Sequence, residues 1–215
     1  MTDVLHLRVL SVNVGQARVV GEHHGLPLIS AFQKRPVAGP TIRVGTLGVE
    51  GDTQADLEVH GGPERAVYAY PADNWPWWEK EKNFACAPGA FGENLTLQGA
   101  DEDIVRIGDR FSWGEIILEV AQPRTPCHKF QRVSGREDAS AIMTVSGRCG
   151  WYFRVLQAGT AVIGDHGLVR IGESRGPSVR EIFHAIFNRA TPARRRELAD
   201  APGLTEEWRQ KLSRP

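Results

Sequence analysis

One cysteine near the middle of the chain lies in surroundings that suit chemistry. Residues 122–129 read QPRTPCHK, so Cys127 follows two prolines and stands among potentially cationic side chains. Prolines fix their own φ and favour extended geometry before them, which predicts a stiff irregular segment here. Arg124 and Lys129 favour the thiolate, the form that attacks electrophiles or binds soft metals. The competing interpretation is a buried cysteine that only fills the core.

A glycine-rich loop could bring the backbone close to a ligand. Residues 48–52 (GVEGD) lead into residues 58–66 (EVHGGPERA), where a double glycine is flanked by His60 and Arg65. Exposed amides beside an arginine suit an anionic group such as phosphate. A plain tight turn with surface charges explains this loop equally well when it is taken alone.

Two further loops contain polar side chains that could contact a ligand. Asn94, in residues 91–96 (FGENLT), offers a donor and acceptors to the edge of a heterocycle, although an Asx-turn would also explain it. Lys34 lies in residues 33–36 (QKRP), where proline keeps the chain extended. Taken alone, this loop is only a charged surface.

The elements that must position these loops are mainly strands. Apolar alternation predicts strands at residues 5–14, 17–20, 41–49, 66–70, 94–97, 104–107, 110–113, 115–121, 151–156, 160–163 and 168–171. The first two are expected to pair with each other. Short strands between frequent glycine turns favour a mainly β fold, either a barrel or a sandwich. Helices are predicted at residues 72–82 and 137–145.

The last 40 residues change to a helical period after Gly176-Pro177. Ser178 with Glu181 matches a capping box, Thr191 precedes a proline at a first helical position, and Thr205 can cap a third helix. Three short helices that are too small to be stable alone must pack on each other or on the strands. We therefore expect a β domain at residues 1–175 and a three-helix module at 176–215. The arginines at 194–196 predict a solvated face, or alternatively a docking surface for an acidic protein.

Composition excludes several classes of function. The 215 residues contain 26 lysines and arginines against 26 aspartates and glutamates, so no net field attracts a nucleic acid polymer or an anionic membrane. The N-terminus resembles neither a secretory signal nor a lipidation site. Three scattered cysteines suit a reducing compartment, so a cytoplasmic location is expected. Neither a zinc site nor an iron–sulfur cluster is expected from the spacing of histidines and cysteines.

Five motifs in order give the chain a family resemblance. They are G48-x-x-G-D52, H60-G-G-x-x-R-A66, F91-G-E-N-L-T96, Q122-P-R-x-P-C127 and G147-x-x-G-W-Y152. Together they resemble the MOSC domain, named for the C-terminal domain of molybdenum cofactor sulfurases, from about residue 7 to 171. The terminal helices resemble the module of the YiiM-like bacterial branch.

The resemblance implies a β-barrel-like fold that binds the molybdenum cofactor, a pterin dithiolene (molybdopterin) with a phosphate tail. Cys127 lies at the family's cysteine position and would be a ligand to molybdenum. From residue chemistry we assign Lys34, Arg65 and Arg124 to the phosphate or the anionic site. His60 and Asn94 are assigned to the pterin or the substrate.

Similar family members reduce N-hydroxylated compounds such as hydroxylaminopurines and amidoximes. The reduction consumes two electrons and two protons and yields the amine and water. A flavin reductase or a ferredoxin-type partner would supply the electrons. A homodimer is compatible with the sequence. Three alternatives remain: a persulfide sulfur carrier, a cofactor-binding protein without turnover, and a Cys-His hydrolase using Cys127 with His60 or His128. No segment matches a pyridoxal-phosphate desulfurase, so a carrier could only relay sulfur made elsewhere.

Overall fold

The computed structural model describes residues 4–23, 25–53, 61–164, 167–172, 174–188 and 190–214. These residues form thirteen strands and six α-helices. The strands are β1 (His6–Val14), β2 (Arg18–His23), β3 (Leu26–Ser30), β4 (Arg35–Pro36), β5 (Thr41–Gly45), β6 (Gly48–Val49), β7 (Val67–Pro71), β8 (Leu95–Gln98), β9 (Arg110–Trp113), β10 (Ile116–Pro123), β11 (Trp151–Gln157), β12 (Gly159–Val162) and β13 (Leu168–Gly172). The helices are α1 (Trp75–Lys82), α2 (His128–Ser134), α3 (Ala139–Ser146), α4 (Val179–Phe187), α5 (Pro192–Ala199) and α6 (Glu206–Ser213).

Seven strands close into a barrel, which confirms the mainly β, barrel-like fold. Their order is β13-β9-β10-β11-β7-β8-β1, and β1 returns to pair with β13, where Leu7 lies opposite Leu168. The neighbouring strands are antiparallel except β7 and β8, which run parallel. Closure means that each of the seven strands pairs with a neighbouring strand on both sides.

The barrel closes around apolar side chains that the strands direct inward. Leu118 and Val120 of β10 are fully buried, and they lie near Phe111 of β9 and Phe153 of β11, whose rings meet edge to face at 6.0 Å. Alternation along each strand places these residues on one face, so burial of their apolar area stabilises the fold by about 2 kcal/mol per large side chain.

Several local expectations were wrong. The single strand expected at residues 41–49 is two strands, β5 and β6, joined by a turn. Residues 104–107 form a turn with one isolated bridge, from Arg106 to Ser178, instead of a strand. Strand β2 pairs with β3 rather than with β1, and β1 pairs with β4, β8 and β13. The chain also has a helix, α2, directly after Cys127, which the sequence did not indicate.

The three predicted C-terminal helices are present, and the first two have the predicted caps. Ser178 and Glu181 form a reciprocal capping box on α4, and Thr191 accepts a hydrogen bond from the Arg194 amide at the start of α5. Thr205 precedes α6, but its buried hydroxyl makes no cap hydrogen bond, contrary to expectation.

The helices pack on the barrel through the same core. Val179, Ile182 and Phe183 of α4 are buried against it, as are Trp208 and Leu212 of α6. Because α4 packs on β10, the helical module covers the strand that leads to Cys127. In the described part of the chain, no helix is long and apolar enough to cross a membrane.

Candidate functional site

A cavity beside the end of β10 brings together most of the residues predicted from sequence. Lys34, Arg65, Asn94, Arg124 and Cys127 all line it, with about 680 Å³ of space not filled by protein atoms, including the opening to solvent. His60 lies outside the described residues, so the structure does not address its predicted role.

Arg124 is a buried cation without an anionic partner among the described residues. Its relative exposure is 4%, and it follows β10 directly. The guanidinium lies 5.3 Å from the ring centre of Tyr68 and 5.5 Å from those of Phe32 and Phe130. These rings compensate part of the cost of burying the charge, but a buried charge is ordinarily paired with an opposite one.

Two sulfur atoms lie beside this guanidinium. Nη1 of Arg124 is 3.2 Å from Sδ of Met143, and Nη2 is 3.9 Å from Sγ of Cys127. Burial opposes the charge of Arg124, but Tyr68 and Cys127 outweigh it, so the arginine pKa is raised. The group is therefore a permanent positive charge at the cysteine.

Cys127 is half-buried in the irregular segment between β10 and α2, as predicted. Its backbone is extended, with φ −139° and ψ 160°, and its carbonyl accepts a 2.9 Å hydrogen bond from Ser140 of α3. The other two cysteines differ, because burial raises the pKa of Cys86 to about 12 and raises that of Cys149 well above its usual value. Cys127 is the one cysteine of the chain that lines the cavity.

Lys34 is held by Asp52, a residue that the sequence indicated only as part of a glycine turn. The lysine forms an ion pair with Asp52, and both side chains are less than a tenth exposed. Asp52 also accepts hydrogen bonds from the Gly15 amide at 2.7 Å and from Asn94 at 2.8 Å. Burial lowers the pKa of Lys34, and the charge of Asp52 partly opposes this shift.

The amide of Asn94 is occupied by protein groups. Its nitrogen donates to Asp52 and, at 3.2 Å, to the Asn13 carbonyl, and its oxygen accepts from the Tyr68 amide at 3.1 Å. These bonds tie β1, β7 and the Asp52 turn together at one wall of the cavity. Asn94 thus orients Asp52, whatever contact it makes to a ligand.

Arg65 connects the cavity to the C-terminal helices. It follows the double glycine in a 3₁₀ turn, Pro63–Arg65, and forms an ion pair with Glu207 of α6. Its side chain is 12% exposed, whereas that of Glu207 is 43% exposed. We call the place where cavity-lining Arg65 meets the more exposed Glu207 the mouth. Nothing local in the sequence connects two residues that are this far apart.

The buried side chain of Glu93 holds a loop that forms part of the cavity wall. It is fully buried and accepts hydrogen bonds from the amides of Gly89 and Phe91, at 2.8 and 3.0 Å, and from the Thr96 hydroxyl at 2.7 Å. Burial raises its pKa to about 7, against the opposing effect of these hydrogen bonds. The carboxyl group fixes the loop that carries Phe91 and Gly92 into the cavity.

The residues present fit an anionic group that contains a soft metal. Among the residues that the structure describes, four cationic side chains line the cavity, against one carboxylate, that of Asp52; the cations are Lys34, Arg65, Arg124 and Lys129. The unpaired Arg124 offers charge compensation, and Cys127 offers a thiol, the donor type that soft metals select.

Comparison with known proteins gives relatives over nearly the whole chain. YflK of Bacillus subtilis is 38% identical over 204 residues, which are 94% of this chain and 90% of that protein. YiiM of Escherichia coli is 34% identical over 211 residues, 94% of this chain and 91% of that protein. A protein of Gibberella moniliformis named "Reductase" is 37% identical over 145 residues, 66% of this chain but 26% of that protein.

A solved structure and a family model agree with these sequence matches. The crystal structure of YiiM from Geobacillus stearothermophilus superposes with a TM-score of 0.79 at 31% identity and covers 96% of this chain and 97% of that chain. The family model for the MOSC domain matches residues 56–174. MOSC domains as a family are associated with binding of the molybdenum cofactor. The chain belongs to the MOSC domain family.

Proposed function

We propose that the protein is a molybdenum cofactor-dependent reductase of N-hydroxylated compounds, of the hydroxylaminopurine or amidoxime type. The observation that carries this proposal is the buried guanidinium of Arg124, which has no carboxylate partner among the described residues and lies 3.9 Å from the Cys127 sulfur. A protein gains from such an arrangement only when something anionic binds there. Membership of the MOSC family and the reductase name of one relative support the same function.

Cys127 would be the protein ligand to the metal, and Arg124 with Lys34 would balance the negative charge of the cofactor. When bound, the molybdenum cofactor supplies the two-electron chemistry that removes oxygen from nitrogen. Arg124 holds a positive charge at the reacting end of the cavity at every physiological pH. Phe32, Tyr68 and Phe91 line the same cavity, so part of its wall is apolar, which strengthens electrostatic contacts made beside these rings.

The electrons must come from outside this chain, and we propose a flavin reductase or a ferredoxin-type protein as the donor. Reduction of R–NHOH consumes two electrons and two protons and yields R–NH₂ and water. Arg194 of the arginine run is engaged with Glu181 and Glu197, at 2.9 and 2.6 Å, so part of its charge is used within the chain. Docking of an acidic donor on this run is therefore a weaker expectation than a solvated face.

Metal analysis tests the proposal most directly. Wild-type protein, Cys127→Ala and the matched control Cys86→Ala are purified from a host that makes the cofactor, and molybdenum and pterin are measured per chain. Cys86 is also half-buried but does not line the cavity. We expect near-stoichiometric molybdenum in wild type and in Cys86→Ala, and at least a tenfold loss in Cys127→Ala, because the soft ligand is removed.

Two outcomes would contradict this assignment. Equal molybdenum in all three proteins would show that Cys127 is not a ligand. A metal-free wild type whose Cys127 carries labile sulfane sulfur would favour the persulfide carrier. If the cofactor is present, reduced electron donor and hydroxylaminopurine are supplied and amine is measured; the absence of turnover would favour a cofactor-binding protein without catalysis.

A further inference from the structure

The mouth of the cavity contains a pair of opposite charges contributed by distant parts of the chain. Arg65 lines the cavity and is 12% exposed, and Glu207 of α6, which forms an ion pair with it, is 43% exposed and does not line the cavity. Glu207 also forms an ion pair with Lys211, one helical turn further along α6, at 2.7 Å. The carboxylate therefore lies between two cations, only one of which belongs to the cavity.

This arrangement divides the positive charge of the cavity into two zones. In the inner zone, Arg124 has no carboxylate partner among the described residues, and it faces Cys127. In the outer zone, Arg65 forms an ion pair with Glu207, whose side chain is 43% exposed. An anion that approaches from solvent must therefore compete with a carboxylate that is tethered next to Arg65, and it is also repelled by that carboxylate. A neutral molecule meets neither penalty.

We propose that Glu207 is a specificity-determining residue that selects neutral or cationic N-hydroxylated substrates over anionic ones. This inference rests on the proposed function for the identity of the substrates. Glu207 neutralises the mouth, whereas the inner cations stay available to the cofactor. The C-terminal helices thereby acquire a role in the site, because α6 holds the carboxylate in place.

The first test measures anion binding to cofactor-free, full-length protein by titration calorimetry with inorganic phosphate. Glu207→Gln should bind phosphate about 3- to 10-fold more tightly than wild type, the range for loss of a competing, partly exposed ion pair. Glu206→Gln is the matched control, since Glu206 is on the same helix and contacts Gln210 instead of the mouth. Its phosphate affinity should equal that of wild type.

A double variant shows whether Arg65 carries the effect. In an Arg65→Gln background, Glu207→Gln should give no further gain in phosphate affinity. An equal gain in Glu206→Gln, or an undiminished gain without Arg65, would mean that general surface charge is responsible and would overturn the proposal. Unchanged affinity in Glu207→Gln would overturn it as well. Circular dichroism checks that each variant is folded.

The second test uses loaded enzyme and compares benzamidoxime with 4-carboxybenzamidoxime. Glu207→Gln should lower KM for the carboxylated substrate about 3- to 10-fold and leave KM for the neutral one unchanged. Equal changes for both substrates would contradict a charge filter. The phosphate titration needs no cofactor, so its result does not depend on the proposed function. If the protein binds no molybdenum, the N-hydroxylated substrates are ruled out, but the effect of Glu207 on anion binding can still be measured.

Discussion

At the scale of single residues, the buried charge of Arg124 costs free energy that a bound anion would offset. Its guanidinium is buried among three aromatic rings and two sulfur atoms, with no carboxylate partner in the described part of the chain. Arg154 provides a contrast, because its guanidinium pairs with Glu119 at 2.8 Å and donates to the Gly203 carbonyl at 2.9 Å. Under the proposed function, Arg124 serves binding, whereas the contacts of Arg154 stabilise the fold.

Replacement by methionine should separate these two roles. In cofactor-free protein, Arg124→Met should not lower the free energy of unfolding, because an apolar side chain of similar length replaces an unpaired buried charge. Arg154→Met should lower it by about 1 to 2 kcal/mol, since Glu119 keeps only its ion pair with Arg110 and the Gly203 carbonyl loses its donor. Urea denaturation measures both values. Molybdenum content should fall at least tenfold in Arg124→Met, and a clear loss of stability in that variant would contradict the assigned role.

At the scale of elements, the loop after residue 88 depends on the buried Glu93 carboxyl group. Glycine is required beside it at Gly92, where φ is +78° and a Cβ atom would come within 2.8 Å of the Phe32 ring. The glutamate holds two loop amides, so this loop, the turn at Asp52 and the end of β10 meet at fixed positions.

The raised pKa of Glu93 makes stability depend on pH in a defined direction. The unfolded carboxyl ionises near 4.5, but the folded one ionises at about 7. Between these values the unfolded state binds fewer protons, so the free energy of unfolding should fall as pH rises from about 4.5 to 7, by up to about 3 kcal/mol. In Glu93→Gln this component is absent. Exposed Glu81 supplies the control variant, Glu81→Gln, which should keep the wild-type slope in urea denaturation; a wild-type slope in Glu93→Gln would refute the assignment.

Elements with strong local patterns could be predicted from sequence. Strands β9, β11 and β13 and the caps of α4 and α5 are close to their expected positions, because alternation and capping act over a few residues. Residues 104–107 have the apolar content of a strand, but Asp101 and Asp109 accept hydrogen bonds from nearby amides and stabilise a turn instead. Helix α2 has seven residues and one buried side chain, which is too short for a period to be visible.

The residues of the candidate site also divide into those that could be predicted from sequence and those that could not. Cys127 and Arg124 could be selected because charge, proline and cysteine are unusual together and lie in one family motif, whereas Lys34 was selected only from its charge beside a proline. Asp52 belongs to the first family motif, but its role could not be predicted, since its partners Gly15, Lys34 and Asn94 come from three separate segments. Glu207 could not either, because its contact to Arg65 exists only after α6 packs on the barrel.

At the scale of the whole molecule, the helical module and the barrel share one core. Val179 and Phe183 are fully buried, and the amide of Thr205 donates to the Ala121 carbonyl of β10 at 3.3 Å. The division at residues 175 and 176 therefore remains a prediction about sequence organisation, and it does not by itself imply that either part folds alone.

Truncation tests how far the barrel depends on the helices. A protein that ends at residue 175 should be unfolded or molten, because it exposes the apolar surface that α4 and α6 cover, at about 2 kcal/mol for each large side chain released. Near-ultraviolet circular dichroism and hydrogen exchange measure this. Removal of residues 214–215 is the control and should leave both unchanged. A truncated chain with a cooperative, wild-type-like transition would identify residues 1–175 as an autonomous domain.

Closure of the ring by Leu7 and Leu168 has a consequence for biosynthesis. The first strand leaves the ribosome early, but its neighbour β13 is made only when most of the chain is complete. Until β13 is made, one edge of β1 lacks its hydrogen-bonding partner. The nascent chain must therefore avoid aggregation while the barrel lacks its last strand. Translation pauses or chaperone contacts before β13 emerges should therefore influence yield more than those after it.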